Sequence, residues 1–227
     1  MEIFSPPRVV PYARRLGLRA TTSLDLLTGC DILTFQGRSM ALTALSQQRP
    51  RLVILSPPCT MYSALQHMWN LSKMPAAVRE EKLKEAKTFL RFAMHIAETQ
   101  RAAGRWFLFE HPQRASSWAD ESVVTMAAQC GVEKVTFDQC RFGLCTPASP
   151  KCMPKPMRKR TCFLSNAPYG RRLFANKRCV CTSAHHSIQG TFAGVRLSSL
   201  SAIYPPKLCL YLALVAAQRD PDPEDEV

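Results

Sequence analysis

Short apolar runs alternate with longer segments of mixed polarity along the chain, and this pattern predicts an α/β fold. The runs Leu52–Leu55 and Trp106–Phe109 each consist of four large apolar residues, which is typical of strands buried on both faces of a parallel sheet. Further strands are predicted over residues 1–5, 18–24 and 133–138. We therefore expect a mostly parallel sheet with helices on both faces.

Helices are predicted between these strands from their apolar faces and from the residues at their ends. They cover the segments 9–16, 37–48, 75–103, 123–131 and 208–218. The longest of them begins at Pro75 and ends before Gly104, and these are the residues that favour helix starts and stops. The first ends in two arginines followed by Gly17, which is a common C-terminal signal.

Composition indicates one principal domain with a polyanionic partner. A chain of 227 residues with 46% hydrophobic content can bury one core. Lysine and arginine outnumber the acids 30 to 17, and the formal charge of +13 favours nucleic acid as partner. The longest apolar run, Leu208 to Ala217, is too short to cross a membrane. No secretory leader is recognised, so we expect ten reduced cysteines in an intracellular protein.

Two chemically active side chains follow the two most apolar strands. Pro57-Pro58-Cys59 comes directly after Leu52–Leu55, and the prolines end the strand and hold the thiol rigidly at the carboxyl edge of the sheet. The second apolar strand ends in Glu110, and a carboxylate that leaves such a strand is usually kept for chemistry. Because ligands bind at this edge, Cys59 is a candidate nucleophile and Glu110 a candidate partner. The alternative for Cys59 is a buried small hydrophobe.

The order of these motifs resembles that of the C5-cytosine methyltransferases. Pro57-Pro58-Cys59 with Tyr62-Ser63 is similar to the family signature Pro-Pro-Cys-x-x-Phe-Ser, and Glu110-His111-Pro112 to its Glu-Asn-Val segment. The resemblance implies a Rossmann-like, S-adenosylmethionine-dependent methyltransferase fold with a small C-terminal insertion. It implies that Cys59 adds to C6 of cytosine, that Glu110 bonds to N3, and that C5 is methylated. DNA is favoured over RNA as the substrate, which implies a nuclear or nucleoid location.

Further segments resemble the cofactor-binding motifs of that family. They imply six positions that contact S-adenosylmethionine: Phe4, Ser5, Asp25, Asp31, Pro58 and Ser201. Phe4 would stack on the adenine, Asp25 would bind the ribose hydroxyls, and Asp31 would contact the adenine amino group. Where the family has a glycine loop, this chain has Ser5-Pro6-Pro7-Arg8. The alternatives are a core aromatic for Phe4 and helix or turn caps for the aspartates.

Two C-terminal segments complete this resemblance, and a third resembles a different group of proteins. Arg158-x-Arg160 resembles the family's Gln-x-Arg-x-Arg and implies two catalytic-site guanidiniums on one strand face, with a solvated basic loop as the alternative. Residues 201–208 resemble the Asn-Ala-Val-Pro-Pro-Pro-Leu segment beside the cofactor. A looser resemblance of residues 138–144, with the Lys-Pro-rich run after them, is to domains of retroelement polyproteins. It implies the nucleic acid of a mobile element as substrate.

Thiols and imidazoles are concentrated in the C-terminal third of the chain. Cys179-x-Cys181 is followed by His185-His186, and these residue types at short spacing are typical zinc ligands. A further thiol would complete a tetrahedron, from Cys140, Cys145, Cys152 or Cys162. The first of these gives the candidate ligand set Cys140, Cys179, Cys181 and His185. The alternative is a thiol cluster in a reducing cell.

The motifs divide the chain into four segments. We expect residues 1–165 to form a methyltransferase-like catalytic core, 166–196 a short recognition insertion with the candidate metal ligands, 197–219 a return to the core, and 220–227 an acidic tail. Two other functions are open: an inactive relative that binds nucleic acid, and a different cysteine-dependent enzyme that modifies bases. No oligomeric state is predicted.

Overall fold

A six-stranded sheet forms the centre of the protein. The computed structural model describes residues 1–64, 73–148, 153–192 and 194–222. The strands of the sheet are β1 Glu2–Ile3, β2 Ser23–Leu24, β3 Leu52–Leu55, β4 Trp106–Pro112, β5 Glu133–Asp138 and β6 Arg160–Ser165, in the spatial order β2-β1-β3-β4-β6-β5. The first four are parallel, whereas β6 runs antiparallel to both of its neighbours. The predicted α/β class with a mostly parallel sheet is confirmed.

Helices cover both faces of this sheet. They are α1 Val10–Arg15, α2 Phe35–Gln48, α3 Ala76–Ala102, α4 Glu121–Ala127, α5 Pro168–Phe174, α6 Leu197–Leu200 and α7 Pro206–Ala217. Alternate residues of β3 enter different cores: Val53 and Leu55 pack with α2, α3 and α4, while Leu52 and Ile54 pack with α1, α5 and α7. This explains why the strand is apolar at every position. Within the described ranges, no helix is both long and apolar enough to cross a membrane.

Several element boundaries differ from the prediction. Strand β4 continues through Glu110 to Pro112, because the antiparallel ladder with β6 pairs Glu110 with Phe163 and His111 with Cys162. The second strand is reduced to Ser23–Leu24. Helix α4 begins two residues before the predicted start, since the Asp120 side chain accepts a hydrogen bond from the backbone N–H of Ser122. Of the predicted tail, residues 223–227 lie outside the described residues.

The strand order reverses direction at β1. The chain moves from β1 to β2 on one side and then crosses to β3 on the other side of β1. In open α/β sheets the crevice beyond the carboxyl ends of two such strands is where ligands bind. Here those ends are followed by Phe4 and by the segment from Ser56 to Cys59, so the topology directs attention to this edge.

Candidate functional site

Glu110 is a buried carboxylate with one incompletely satisfied oxygen. The residue is only 6% exposed, and its Oε2 accepts a hydrogen bond from the Tyr204 hydroxyl at 3.2 Å. Its Oε1 has no hydrogen-bond partner among the described residues; the nearest cation is the Lys159 Nζ at 3.9 Å. Burial of a carboxylate without full hydrogen bonding costs several kcal/mol. Such an arrangement is typical of a group retained for binding or catalysis.

Tyr204 connects Glu110 to the end of β3. The Tyr204 hydroxyl lies 2.7 Å from the Ser56 Oγ as well as 3.2 Å from Glu110. Burial, and then the charge of Glu110, raise the pKa of Tyr204 well above its ordinary value. The phenol therefore stays protonated and donates to the carboxylate, while Ser56 donates to the phenol. This relay fixes the orientation of Glu110.

Lys159, rather than the predicted arginines, is the basic residue that reaches the site. Its ammonium also donates to the backbone oxygen of Ser201 at 3.1 Å, and its side chain is 12% exposed. Arg160 lies opposite Asp138 in the sheet register and its Nε is 3.8 Å from that carboxylate. Arg158 is exposed in the irregular segment before β6. The prediction that both arginines share one strand face is wrong, because the strand begins at Arg160.

Cys59 sits in the turn that follows the two prolines. It is partly buried, Pro57 is buried and Pro58 is exposed. Its backbone oxygen accepts the N–H of Tyr62 at 3.0 Å, which closes a single 3-10 turn. Burial raises the pKa of the Cys59 thiol; the positive charge of Lys159 opposes this shift and the negative charge of Glu110 adds to it. The resting side chain is therefore a thiol, and both charged neighbours influence how readily it ionises.

Two substitutions are expected to change the reactivity of Cys59 in opposite directions. Lys159→Met removes the charge that favours the thiolate, so alkylation of Cys59 by iodoacetamide should slow several-fold at mildly alkaline pH. Glu110→Gln removes the charge that disfavours it, so alkylation should become faster. Peptide mass spectrometry resolves Cys59 from the other thiols. Arg158→Met is the control and should leave the rate unchanged; a change of the same sign in both test variants would contradict the electrostatic assignment.

His111 holds the cysteine turn against β4. Its Nε2 lies 3.2 Å from the backbone oxygen of Pro57, and its Nδ1 lies 2.6 Å from the Ser117 Oγ. The carbonyl can only accept, so the ring proton is assigned to Nε2 and Ser117 donates to Nδ1. Burial lowers the pKa of His111 to about 3, which keeps the imidazole neutral. His111 is thus a scaffold residue.

Phe4 follows β1 at the crevice but packs against the long helix. Its ring makes edge-on contacts with Phe89 at 5.8 Å and with Phe92 at 6.5 Å between centroids. Its backbone adopts a left-handed conformation with φ of 67°, which is rare for a bulky residue and costs about 1–2 kcal/mol. The strained turn redirects the chain without the expected glycines.

The two predicted adenosine-binding aspartates act as caps. Asp25 accepts the N–H of Leu27 at 2.9 Å and starts a 3-10 turn at the end of β2, while Asp31 accepts the N–H of Leu33 at 2.9 Å. A Cβ at Gly37 would lie 1.9 Å from the backbone oxygen of Asp31, so only glycine fits there. Both carboxylates are partly exposed, and Asp25 keeps the predicted position at a strand end.

The Glu2 carboxylate binds the loop between β1 and α1, where the resembled family has glycines. Its carboxylate is 1% exposed and accepts the backbone N–H groups of Arg8, Val9 and Val10 at 3.1, 3.0 and 2.9 Å. The hydroxyls of Ser5 and Ser23 lie 3.4 and 3.3 Å from it. These backbone donors are therefore already bound and are not available to the methionine end of S-adenosylmethionine, which the resemblance implies here.

The remaining predicted positions are structural neighbours of this edge. Ser5 is buried and its hydroxyl donates to the backbone of Pro6 at 2.9 Å. Ser201 is buried, donates its hydroxyl to the Ser198 oxygen at 2.9 Å, and positions Lys159 through its own carbonyl. A cavity of about 320 Å³ lies at the opposite, amino-terminal edge between α1 and the start of β3 and contains no predicted site residue.

The four candidate metal ligands lie together, away from Glu110. The ligand atoms of Cys140, Cys179, Cys181 and His185 are all within 4.8 Å of one another. Of the other thiols considered, Cys145 is exposed and Cys162 is buried in β6 beside Thr136. Cys152 lies outside the described residues.

Comparison of the chain with protein-family models, curated proteins and solved structures finds no match.

Proposed function

We propose that the protein methylates C5 of cytosine in nucleic acid, with DNA as the favoured substrate, through a covalent bond to Cys59. The observation that carries the proposal is the common position of a thiol and a buried, incompletely satisfied carboxylate, Glu110, at one sheet edge. Lys159 links the two, because it lies 3.9 Å from the Glu110 Oε1 and its charge acts on the Cys59 thiol. Nucleophile, polarising acid and cation are the parts that this reaction needs.

The chain's own residues account for the activation of the base. The proton of the Cys59 thiol passes, through water, to the Glu110 carboxylate, and the resulting thiolate adds to C6. This addition breaks the conjugation of the ring and places negative charge on N3 and electron density on C5. Glu110, as the carboxylic acid, supplies a hydrogen bond to N3 from its free Oε1. S-adenosylmethionine supplies an electrophilic methyl group when bound. Water then takes the C5 proton, and the electron pair of the broken C–H bond returns to the ring and expels Cys59 as the thiolate.

The net charge of the chain and the burial of Glu110 support a nucleic-acid substrate. A base in a duplex cannot reach both Cys59 and the buried Glu110 unless it is flipped out of the helix or already single-stranded. The excess of 13 positive charges provides the attraction for phosphates. Arg158 is exposed beside Lys159 and is suited to contact the backbone of such a strand.

A second candidate is a nucleic-acid-binding protein without transferase activity. The observation that favours it is Glu2, which occupies the backbone donors of the β1–α1 loop with three hydrogen bonds. A cofactor with a charged methionine end would have to find other donors. The fold and the positive charge of the protein would then serve only to bind nucleic acid.

The two candidates are distinguished by transfer and by cofactor binding. We expect tritium from methyl-labelled S-adenosylmethionine to enter DNA more than RNA, with the label in 5-methylcytosine. We expect S-adenosylhomocysteine to raise the melting temperature of the protein, since a ligand that binds only the folded state stabilises it. Salt-sensitive DNA binding with neither transfer nor a thermal shift would support the second candidate and reject the first.

A further inference from the structure

We infer that Cys140, Cys179, Cys181 and His185 bind one structural zinc ion. The distance between the Cys179 Sγ and the His185 Nε2 is 3.3 Å, and all four ligand atoms fit within 4.8 Å. In a regular tetrahedron with Zn–S of about 2.3 Å and Zn–N of about 2.0 Å, neighbouring ligand atoms are about 3.5–3.8 Å apart. A separation of 4.8 Å would have to shorten by about 1 Å, so movements of about 0.5 Å by each of the two atoms would complete the tetrahedron.

The chemistry of the ligand set favours zinc and a closed site. Three thiolates and one imidazole are a standard structural zinc environment, and four protein ligands leave no open position for a substrate. His186, directly after His185, takes no part: its Nδ1 faces the Ser187 oxygen at 2.8 Å and its ring packs on Phe192. The two adjacent histidines are thus separated by geometry into a ligand and a packing residue.

The part of the chain that carries these ligands has little core of its own. We call it the cysteine lobe; it comprises the described residues of 140–157 and 179–200. Its buried apolar cluster contains three buried residues, Leu144, Met157 and Leu197. The segments are joined by isolated bridges, Cys145 with Pro156 and Met157 with His186. So small a core does not usually hold an irregular segment in place without a metal or a disulfide. The four clustered side chains provide the ligands for a metal.

The buried carboxylate of Asp138 orients the backbone of one candidate ligand, Cys179. Asp138 is 2% exposed and its Oδ2 accepts the backbone N–H of Cys179 at 2.9 Å. The Arg178 Nε lies 3.3 Å from the same oxygen. Contacts of this kind behind the ligands are a regular feature of metal sites. Since Gln139 donates its N–H to the Lys159 oxygen at 3.0 Å, a metal on Cys140 would also steady the backbone of Lys159.

Metal analysis of the full chain tests the assignment. Protein purified under reducing conditions should contain one zinc per chain by mass spectrometry. Removal of the metal with a chelator should lower the melting temperature by about 10 °C, and added zinc should restore it. Cobalt added to the stripped protein should give the visible absorption of tetrahedral, thiolate-bound Co²⁺.

Matched variants separate ligands from neighbours. Cys181→Ser and His185→Ala should lose the zinc and the cobalt spectrum, whereas Cys145→Ser and His186→Ala should keep both. The inference fails if the wild type holds no zinc even after incubation with it, if cluster thiols are found in a disulfide, or if all four variants bind zinc equally. The wild-type measurements decide the matter even where a ligand variant does not fold.

Discussion

Cys59→Ser should abolish covalent capture of an oligonucleotide that contains 5-fluorocytosine. In the proposed reaction the thiol adds to C6, and a fluorine at C5 cannot leave as the proton does, so the adduct persists once C5 is methylated. A serine hydroxyl ionises far less readily than a thiol, and loss of a catalytic nucleophile commonly reduces the rate by at least about a thousandfold. Denaturing gel electrophoresis, with S-adenosylmethionine present, measures the adduct directly.

Matched thiol variants make this test specific. Cys130 and Cys145 are both exposed and lie outside the proposed site, so Cys130→Ser and Cys145→Ser should capture the oligonucleotide as the wild type does. An adduct that persists in Cys59→Ser would remove Cys59 from the mechanism. Thermal melting of Cys59→Ser should resemble that of the wild type, since only one atom changes at a partly exposed position.

The strands with continuous apolar sequence were the most predictable part of the fold. The predicted bounds of β3 agree with the structure, because a strand covered by helices on both faces must be apolar at every position. The predicted bounds of β5 also agree, although this edge strand is not continuously apolar. The positions of the Cys59 thiol and the Glu110 carboxylate then follow, because the strands before them are parallel and have their carboxyl ends at the same edge of the sheet. The two groups lie near each other because the two strands run in the same direction.

The partners of Glu110 were not predictable in the same way. Ser56 and Tyr204 are 148 residues apart, and Lys159 reaches Glu110 only because β6 inserts antiparallel between β4 and β5. No period or local motif encodes that strand order. The basic run around Lys159 was the sequence signal for a cation at the site. Strand alternation, however, favoured the two arginines beside Lys159. The actual start of β6 decides which of these side chains faces the site.

The role of Glu2 has no comparable signal in the sequence. Glu2 lies in the strand predicted over residues 1–5, whereas its carboxylate binds the backbone six to eight residues later in its own chain. Residues 5–8, which include two prolines, leave few other donors for such a turn. A capping function was foreseeable for Asp25 but not for an acid inside a strand.

Glu2→Gln should therefore destabilise the protein by about 3 kcal/mol. The amide keeps the shape of the side chain but loses the negative charge. With its oxygen towards the N–H groups of Val9 and Val10, its NH₂ group faces the N–H of Arg8, which it cannot satisfy. Buried donors left unpaired cost about 1–3 kcal/mol each, and more when a charge is involved. Urea unfolding measures the change, provided that the slope of the transition is unchanged.

Glu133→Gln is the matched control for this loss. Glu133 is about half exposed and pairs with Arg171 at 2.9 Å on the surface, so its substitution should cost less than about 1 kcal/mol. Equal effects of the two changes would show that Glu2 does not hold the loop through its buried hydrogen bonds. The difference also bears on the cofactor. If the three backbone donors are needed for stability, a bound methionine group cannot displace Glu2 from them without a comparable loss, and must be held by other residues of the crevice.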